Sequence, residues 1–268
     1  MPFHDPEFYD DLADTYHRMY EDWWGFAVRY AEPIAAALAG AGVEPPAEVL
    51  DCTCGIGTQA LPLATTGYRV TGSDLSGRAI ERAGREAATR GLDVHLVTSD
   101  VRRIDEQFER TFDAVISGAN SLTHLLTDQD LRRALRAVRR CLRPAGVFVA
   151  TIRDYDEVLR DEAPGLLPEL FGKGDDRSVI TQAWEWAEDR RTLTTIHILT
   201  IKRRGRPGWD TTVRTTDYRV LRRAEFDAAL SATGFGDIRW RFPEETGHYQ
   251  PMVVARVNPE WTEEIVRA

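Results

Sequence analysis

Short apolar runs recur along the first part of this chain, and most of them end on a charged residue. Val49-Leu50 runs into Asp51, Arg69-Val70-Thr71-Gly72-Ser73 into Asp74, and Val94 to Val97 is followed by Asp100. Phe112 to Ser117 leads into Gly118-Ala119-Asn120-Ser121, and Val147 to Ile152 ends at Arg153. Runs of this length read as strands. Helical patterns separate them. Ser76 is a good N-cap for a helix running to Arg90, and Gly91 stands where a helix C-terminus favours glycine. Leu131, Leu135, Val138 and Leu142 share one face of a later helix whose other face is a solvated array of arginines, and Pro144-Ala145-Gly146 stops it. Strand–helix alternation with short turns predicts a parallel sheet covered by helices on both sides.

The flanks differ. Residues 3–40 read as helices, with Tyr9, Leu12, Ala13, Tyr16 and Tyr20 recurring at three and four, followed by Trp23, Trp24, Phe26 and Tyr30. Such a stripe packs as core, and its tyrosines also suit it to cover a bound adenosine. After residue 154 the stretch Asp161 to Asp176 is acidic, with prolines and glycines, and reads as a loop. Three strand-like runs follow, Val179–Ala187, Thr192–Lys202 and Thr211–Leu221, with Gly205-Arg206-Pro207-Gly208 marking a turn. A helix at Arg223–Ala232 returns to the core. Ile238, Trp240 and Phe242 alternate in a sixth strand, and Met252 to Val257 forms a seventh, close enough to pair antiparallel. The fold class is therefore α/β: a seven-stranded, mostly parallel sheet with an antiparallel last strand and a small antiparallel lid inserted after the fifth strand. The expected units are an N-terminal helical cap over 1–47, a core over 48–153 and 222–258, and the lid over 154–221.

The chemistry concentrates where the first strand ends. Asp51-Cys52-Thr53-Cys54-Gly55-Ile56-Gly57-Thr58 is a tight loop running into a helix that opens near Thr58. Glycine lets a ligand approach the bare backbone, and a helix start presents unpaired N–H groups. Gly55-Ile56-Gly57-Thr58-Gln59-Ala60 also satisfies G-x-G-x-x-G/A, so a dinucleotide site is one reading. Asp51 separates the alternatives. A carboxylate at the strand tip opposes a pyrophosphate and favours a cationic amine or sulfonium, and S-adenosylmethionine carries both. Asp74 lies about as far past Gly57 as a carboxylate that accepts ribose hydroxyls should.

Composition narrows the partners. With 268 residues, 43% of them hydrophobic, the chain can bury one full α/β core plus an appendage. The net charge of −9 opposes nucleic acid or an anionic membrane as main partner, since both need a cationic footprint. Cys52, Cys54 and Cys141 are few and odd in number, with no secretory leader ahead of them. A reducing cytoplasm fits that usage. Cys52-x-Cys54 without a matching Cys/His pair reads as buried packing, and no metal is expected.

Three acids at successive strand tips, Asp51, Asp74 and Asp100, together with the antiparallel tail, resemble the class I S-adenosylmethionine-dependent methyltransferases over roughly residues 49–257. That family has a Rossmann-like core. The resemblance implies that the glycine loop wraps the methionine end, that Asp74 binds the ribose, and that Asp100 with the amide of Val101 holds the adenine edge. It implies cofactor contacts from Asp51, Gly55, Gly57, Asp74, Leu75, Asp100, Val101 and Tyr16. Thr53 stands where the loop pattern has another glycine, and Ala145 replaces a frequent glycine before the fifth strand. Phe112-Asp113-Ala114-Val115-Ile116 with Asn120-Ser121-Leu122-Thr123-His124-Leu125 is similar to the fourth-strand block of glycine and glycine/sarcosine N-methyltransferases. Ile152-Arg153-Asp154-Tyr155-Asp156 is similar to their segment after the fifth strand, where an asparagine usually follows the arginine. The resemblance implies that Asn120 and Arg153 hold the carboxylate of an amino-acid acceptor, with Tyr20 and Tyr218 the candidate tyrosines around its amine.

The reading is a small-molecule N-methyltransferase that uses S-adenosyl-L-methionine and releases S-adenosyl-L-homocysteine. Its rivals are O-methylation of a natural product, a nucleotide-linked oxidoreductase, and a non-catalytic cofactor-binding protein. No catalytic base is expected to be essential. His124 is the nearest candidate, and a backbone hydrogen bond is its simpler role. Trp184 and Trp186 read as lid core or as an aromatic wall. Arg153 has a plain alternative, an ion pair with Asp154 or Asp156. The expected partner is a small-molecule methyl acceptor, with no nucleic acid or membrane and a possible homo-oligomer.

Overall fold

The computed structural model describes residues 6–161, 163–202, 204–205 and 207–261. The first residues of the expected N-terminal helix, 3–5, and Arg206 of the expected turn lie outside them. The chain opens with α1 (Pro6–Leu12), a 3-10 turn at Tyr16–Met19, and α2 (Trp23–Gly40). Asp22 caps α2 by accepting the Gly25 N–H, and Ala27, Tyr30, Ile34, Ala37 and Leu38 form its buried face.

The core then alternates as β1 (Glu48–Asp51), α3 (Ala60–Thr65), β2 (Arg69–Asp74), α4 (Gly77–Thr89), β3 (His95–Thr98) and β4 (Phe112–Ser117). Next come α5 (Asp128–Cys141), β5 (Leu142–Thr151) and α6 (Tyr155–Asp161). Ser76 caps α4 and Thr127 caps α5, each accepting a backbone N–H from inside its helix. Asp128 and Asp130 in the first turn of α5, and Arg139 and Arg140 in its last, match the helix dipole. Leu131, Leu135 and Val138 are buried on its inner face, each stabilising the fold by roughly 1.5–3 kcal/mol.

A second sheet follows: β6 (Gly165–Lys173), β7 (Asp176–Trp186), β8 (Thr192–Lys202) and β9 (Asp210–Arg219), all antiparallel. The chain closes with α7 (Arg223–Ala232), β10 (Phe235–Arg241), α8 (Pro243–Thr246) and β11 (Met252–Val257). The large sheet runs β10-β11-β5-β4-β1-β2-β3. β11 is antiparallel to both neighbours, and the pairs from β5 to β3 are parallel.

Strand order reverses between β1 and β4: the chain moves outward through β2 and β3, then returns to add β4 and β5 on the other side. The carboxyl ends of β1 and β4 thus flank the crevice where open α/β sheets bind ligands. Successive residues of these strands point to opposite faces. Leu50, Val115 and Phe148 pack toward α5 and α7, while Val49, Ala114, Ile116, Val147 and Val149 pack toward α2 and α3.

Two expectations are corrected. The stretch Asp161 to Asp176, read as a loop, contains β6. Its leucines and Phe171 form an edge strand, and Pro168 is tolerated because an edge strand need not donate on its open side. Pro144-Ala145-Gly146 does not separate helix from strand. β5 starts at Leu142, which pairs with Phe112, and the next register pair is Val147 with Ala114. The three residues form an irregularity inside the strand, with Ala145 at φ +61°.

Truncating Leu135, fully buried on α5, should lower the unfolding free energy by about 2–5 kcal/mol. Denaturant titration of Leu135→Ala at an unchanged m-value checks this.

Candidate active site

The loop after β1 is built around a buried acid. Asp51 is fully buried; its Oδ1 accepts the Thr53 N–H at 3.3 Å, and its Oδ2 has no hydrogen-bond partner. Burial pushes the Asp51 carboxyl up to about 8, with the charge of Asp74 adding to the rise and the backbone amides of Thr53 and Ala60 opposing it. Asp51 and Gly57 lie behind the loop and do not line the cavity that Cys52 to Ile56 line; a cation close to the loop would favour the Asp51 carboxylate. Thr53 is accommodated at negative φ, and its hydroxyl bonds Ser117 Oγ at 2.9 Å. Gly55 and Gly57 adopt φ +54° and +93°. A Cβ on Gly57 would lie 2.6 Å from Leu61 Cγ, whereas Gly55 faces open space. Glycine at 57 is a packing requirement, and Gly55 leaves the backbone approachable.

Asp74 at the end of β2 closes the loop from the other side. Its carboxylate accepts the Gly55 N–H at 2.8 Å and the Ser76 N–H at 3.0 Å. Burial raises its pKa, opposed by those two amides. Asp100 is held differently. Its carboxylate takes the Arg102 guanidinium, which also reaches Asp130 at 3.0 Å. Burial opposes ionisation of Asp100, but the Arg102 bonds outweigh it and hold the pKa below the usual range. Asp51's neighbours Cys52 to Ile56, with Asp74, Leu75, Asp100, Val101, Tyr9 and Tyr16, line one cavity of about 120 Å³.

A second cavity, of about 580 Å³, adjoins it. Tyr9, Tyr16 and Ala119 line both. Tyr20, Asn120, Arg153 and Tyr218, the four residues expected to bind the acceptor, line this second cavity together. They come from the turn after α1, the ends of β4 and β5, and β9 of the small sheet. Arg153 Nη1 is buried without a hydrogen-bond partner, and Arg153 forms no ion pair among the described residues. Asp154 and Asp156 are taken by Arg223, at 2.9 Å and 3.4 Å. The plain alternative for Arg153 is therefore not the arrangement found. Its guanidinium lies over aromatic faces instead, 4.7 Å from the Trp184 ring centre, 5.7 Å from Tyr218 and 6.0 Å from Tyr155.

Asn120 also holds the site together. Its Oδ1 accepts the Arg153 N–H at 3.0 Å and its Nδ2 donates to Tyr155 Oη at 2.9 Å. The amide positions the backbone that carries Arg153. His124 accepts from Tyr9 Oη at 2.7 Å through Nε2, because Nδ1 must carry its hydrogen toward the Asp217 carbonyl at 3.2 Å. Both ring nitrogens are engaged, which leaves it unsuited to act as a base.

Residues 49–146 match a family described as "Methyltransferase domain". The chain is 30% identical to a glycine/sarcosine N-methyltransferase of Parasynechococcus marenigrum over 57% of this chain and 53% of that protein. It is 25% identical to the putative methyltransferase YqeM of Bacillus subtilis, covering 85% and 83% of the two chains. The structure superposes on an amino pentose methyltransferase from Micromonospora echinaspora, solved with S-adenosylmethionine bound, with a TM-score of 0.74 at 22% identity, over 91% and 95% of the chains. The chain carries a class I S-adenosylmethionine-dependent methyltransferase domain. It spans about half the length of the glycine/sarcosine relative.

S-Adenosylmethionine is the cofactor of this domain, and the glycine loop with Asp74, Leu75, Asp100 and Val101 lines the small cavity as that cofactor requires. The methyltransferase domain match sets aside the dinucleotide reading of the glycine loop. Tyr9, part of the N-terminal tyrosine stripe, lines both cavities, and the residue that sequence reasoning missed is His197 on β8, which lines the second. Both His197 ring nitrogens are buried without partners, and burial beside Arg153 and Arg214 pushes its pKa down to about 4. Only the inward parity it shares with Leu193 and Thr195 along the strand could have signalled it. The histidine by itself carries no pattern. No helix among the described residues is long and apolar enough to cross a membrane.

Two outcomes follow from the acids. Asp74→Ala should weaken S-adenosylhomocysteine binding roughly ten- to a hundredfold by calorimetry, at about 1.5–3 kcal/mol per charge-assisted hydrogen bond. For Asp51 the folded pKa of about 8 lies above its ordinary 3.8. Its contribution to stability is thus full in acid and is lost as pH rises from about 4 through 8. Melting temperatures of the cofactor-free protein across that range should fall less for Asp51→Asn than for the parent, while the variant binds S-adenosylhomocysteine more weakly.

Proposed function

We propose that the chain transfers a methyl group from S-adenosylmethionine to the nitrogen of a small amine that carries a carboxylate. The observation behind this reading is Arg153. It is a guanidinium with a buried, unpartnered nitrogen, in the cavity next to the cofactor cavity, while both nearby acids are paired elsewhere. Leaving such a nitrogen unbonded costs free energy that a ligand carboxylate returns, and a planar fork matches that carboxylate in two parallel hydrogen bonds. The resemblance to glycine/sarcosine N-methyltransferases supports nitrogen as the methylated atom.

The cofactor supplies an electrophilic methyl on a cationic sulfur. The chain's task is to hold a neutral amine in line with it. Oriented positioning of this kind contributes up to roughly 7–11 kcal/mol. Burial pushes the hydroxyls of Tyr9, Tyr16, Tyr20 and Tyr218 up, the last to about 12. They stay protonated at neutral pH and orient an amine through neutral hydrogen bonds. Ring faces around Arg153 exclude water from its open side.

Arg153→Lys keeps the charge and loses the fork. It should lower kcat/KM for a carboxylate-bearing acceptor by roughly tenfold or more, at about 1.4 kcal/mol per tenfold. S-Adenosylhomocysteine affinity should stay within a few-fold. Unchanged kcat/KM, or equal turnover of an acceptor without an anionic group, would sink the carboxylate reading.

A further inference from the structure

The acceptor cavity is larger than the smallest amino acids need, and one of its walls is a strip of exposed leucines. At about 580 Å³ it lies in the range that encloses drug-sized ligands. The five heavy atoms of glycine, at the roughly 30 Å³ of one water each, would leave most of it to solvent. The polar anchors are inside, since Asn120 and Tyr218 are buried and Arg153 Nη1 is shielded from solvent. The more exposed lining brings Leu166, Leu167, Ile180 and Phe242 together with Glu157, Glu169 and Glu244. Leu166 is 48% and Leu167 86% exposed, which is apolar surface held open along the wall of a cavity.

The edge strand is built to present them. Leu166 pairs with Gln182 and Glu169 with Ile180, so three steps along β6 oppose two along β7. One extra residue therefore lies beside Pro168, which has no N–H to give the ladder. In a regular pleat Leu166 and Leu167 would face opposite sides of the sheet. The bulge breaks that alternation, and Leu166, Leu167 and Glu169 all line the same cavity.

We propose that the methyl acceptor is an amine whose carboxylate meets Arg153 and whose remainder is an apolar arm reaching outward along Leu166, Leu167 and Ile180. The inference rests on the carboxylate reading above and adds the arm. Continuity of the leucine wall with the Arg153 pocket identifies the arm, and not a second protein surface, as the occupant. Glu169 and Glu244 on the rim disfavour a second carboxylate at the far end.

The test titrates the S-adenosylhomocysteine-loaded chain with four probes: glycine, 2-aminooctanoate, and the primary amide of each. 2-Aminooctanoate should bind at least tenfold more tightly than glycine, and each acid more tightly than its amide. Substituting both leucines, Leu166→Gln with Leu167→Gln, should cut the preference for 2-aminooctanoate below about threefold. The S-adenosylhomocysteine thermal shift of that variant reports that it is folded. Glycine binding as well as 2-aminooctanoate, or no detectable binding of 2-aminooctanoate, overturns the arm. Acids binding no better than amides overturns the carboxylate reading instead. If the leucine variant changes the sedimentation of the protein and leaves the preference intact, the leucine edge is a contact between copies and the arm is wrong.

Discussion

The turn at Ala119-Asn120 is the constraint on which the two cavities depend. Both residues adopt left-handed backbone, at φ +55° and +64°, which costs an L-residue roughly 1–2 kcal/mol each. The turn is held from four sides. The Ala119 N–H lies 2.7 Å from Tyr30 Oη on α2 and 2.9 Å from Thr151 Oγ1 on β5. The Asn120 amide spans the Arg153 N–H and Tyr155 Oη on α6. Neutral bonds at about 0.5–1.5 kcal/mol each are of the size needed to offset that strain. A non-glycine residue in this conformation persists only where its surroundings over-determine it, and such positions cluster at functional sites. Here the turn forms the wall common to both cavities and fixes the backbone from which Arg153 projects.

Charge is distributed across that wall with opposite signs. On one side Asp51 is buried with one oxygen unbonded; on the other Arg153 is buried with one nitrogen unbonded. Burial answers the two differently: it keeps Asp51 protonated at neutral pH until a cation favours its carboxylate, whereas the guanidinium of Arg153 stays charged and bears the cost until an anion completes it. The surrounding groups are arranged to leave them open. Asp74 bonds two backbone amides, Asp100 is committed to Arg102, and Asp154 and Asp156 are committed to Arg223. A cation beside Asp51 and an anion beside Arg153 would each relieve a cost that the fold itself carries. The tyrosines between them are kept neutral by burial, so they add hydrogen bonds without adding charge.

The small sheet completes the second cavity by contributing side chains to the core. Tyr218 and Leu193 are buried, Trp184 covers Arg153, and His124 packs against Tyr218 with ring centres 4.3 Å apart and planes tilted by 39°. The roof of the cavity is thus anchored at its inner end, while the edge strand at its outer end is exposed. A site rigid near the reacting atoms and open toward solvent can fix an amine and still admit acceptors of different length.

Much of this was legible in the chain alone. Strand ends, caps and turns are local: Asp51, Asp74 and Asp100 follow short apolar runs, Ser76 precedes a helix, and the glycines sit where positive φ is required. Sheet order and the donor cradle follow from such signals because parallel α/β units allow few arrangements. The residues that decide the acceptor are different in kind. Arg153 stands beside two acids in sequence, and only the fold, which brings Arg223 at the start of α7 to both of them, leaves the guanidinium open. Asn120, expected as a ligand group, also braces the site, through partners more than thirty positions away in the chain. β6 looked like a loop, since an edge strand with a bulge and a proline carries no regular alternation. The sequence by itself determined the elements and the donor side, whose information is local. Tertiary structure alone decided which buried charge stays unpaired and how the acceptor cavity is walled, because both depend on contacts between segments distant in the chain.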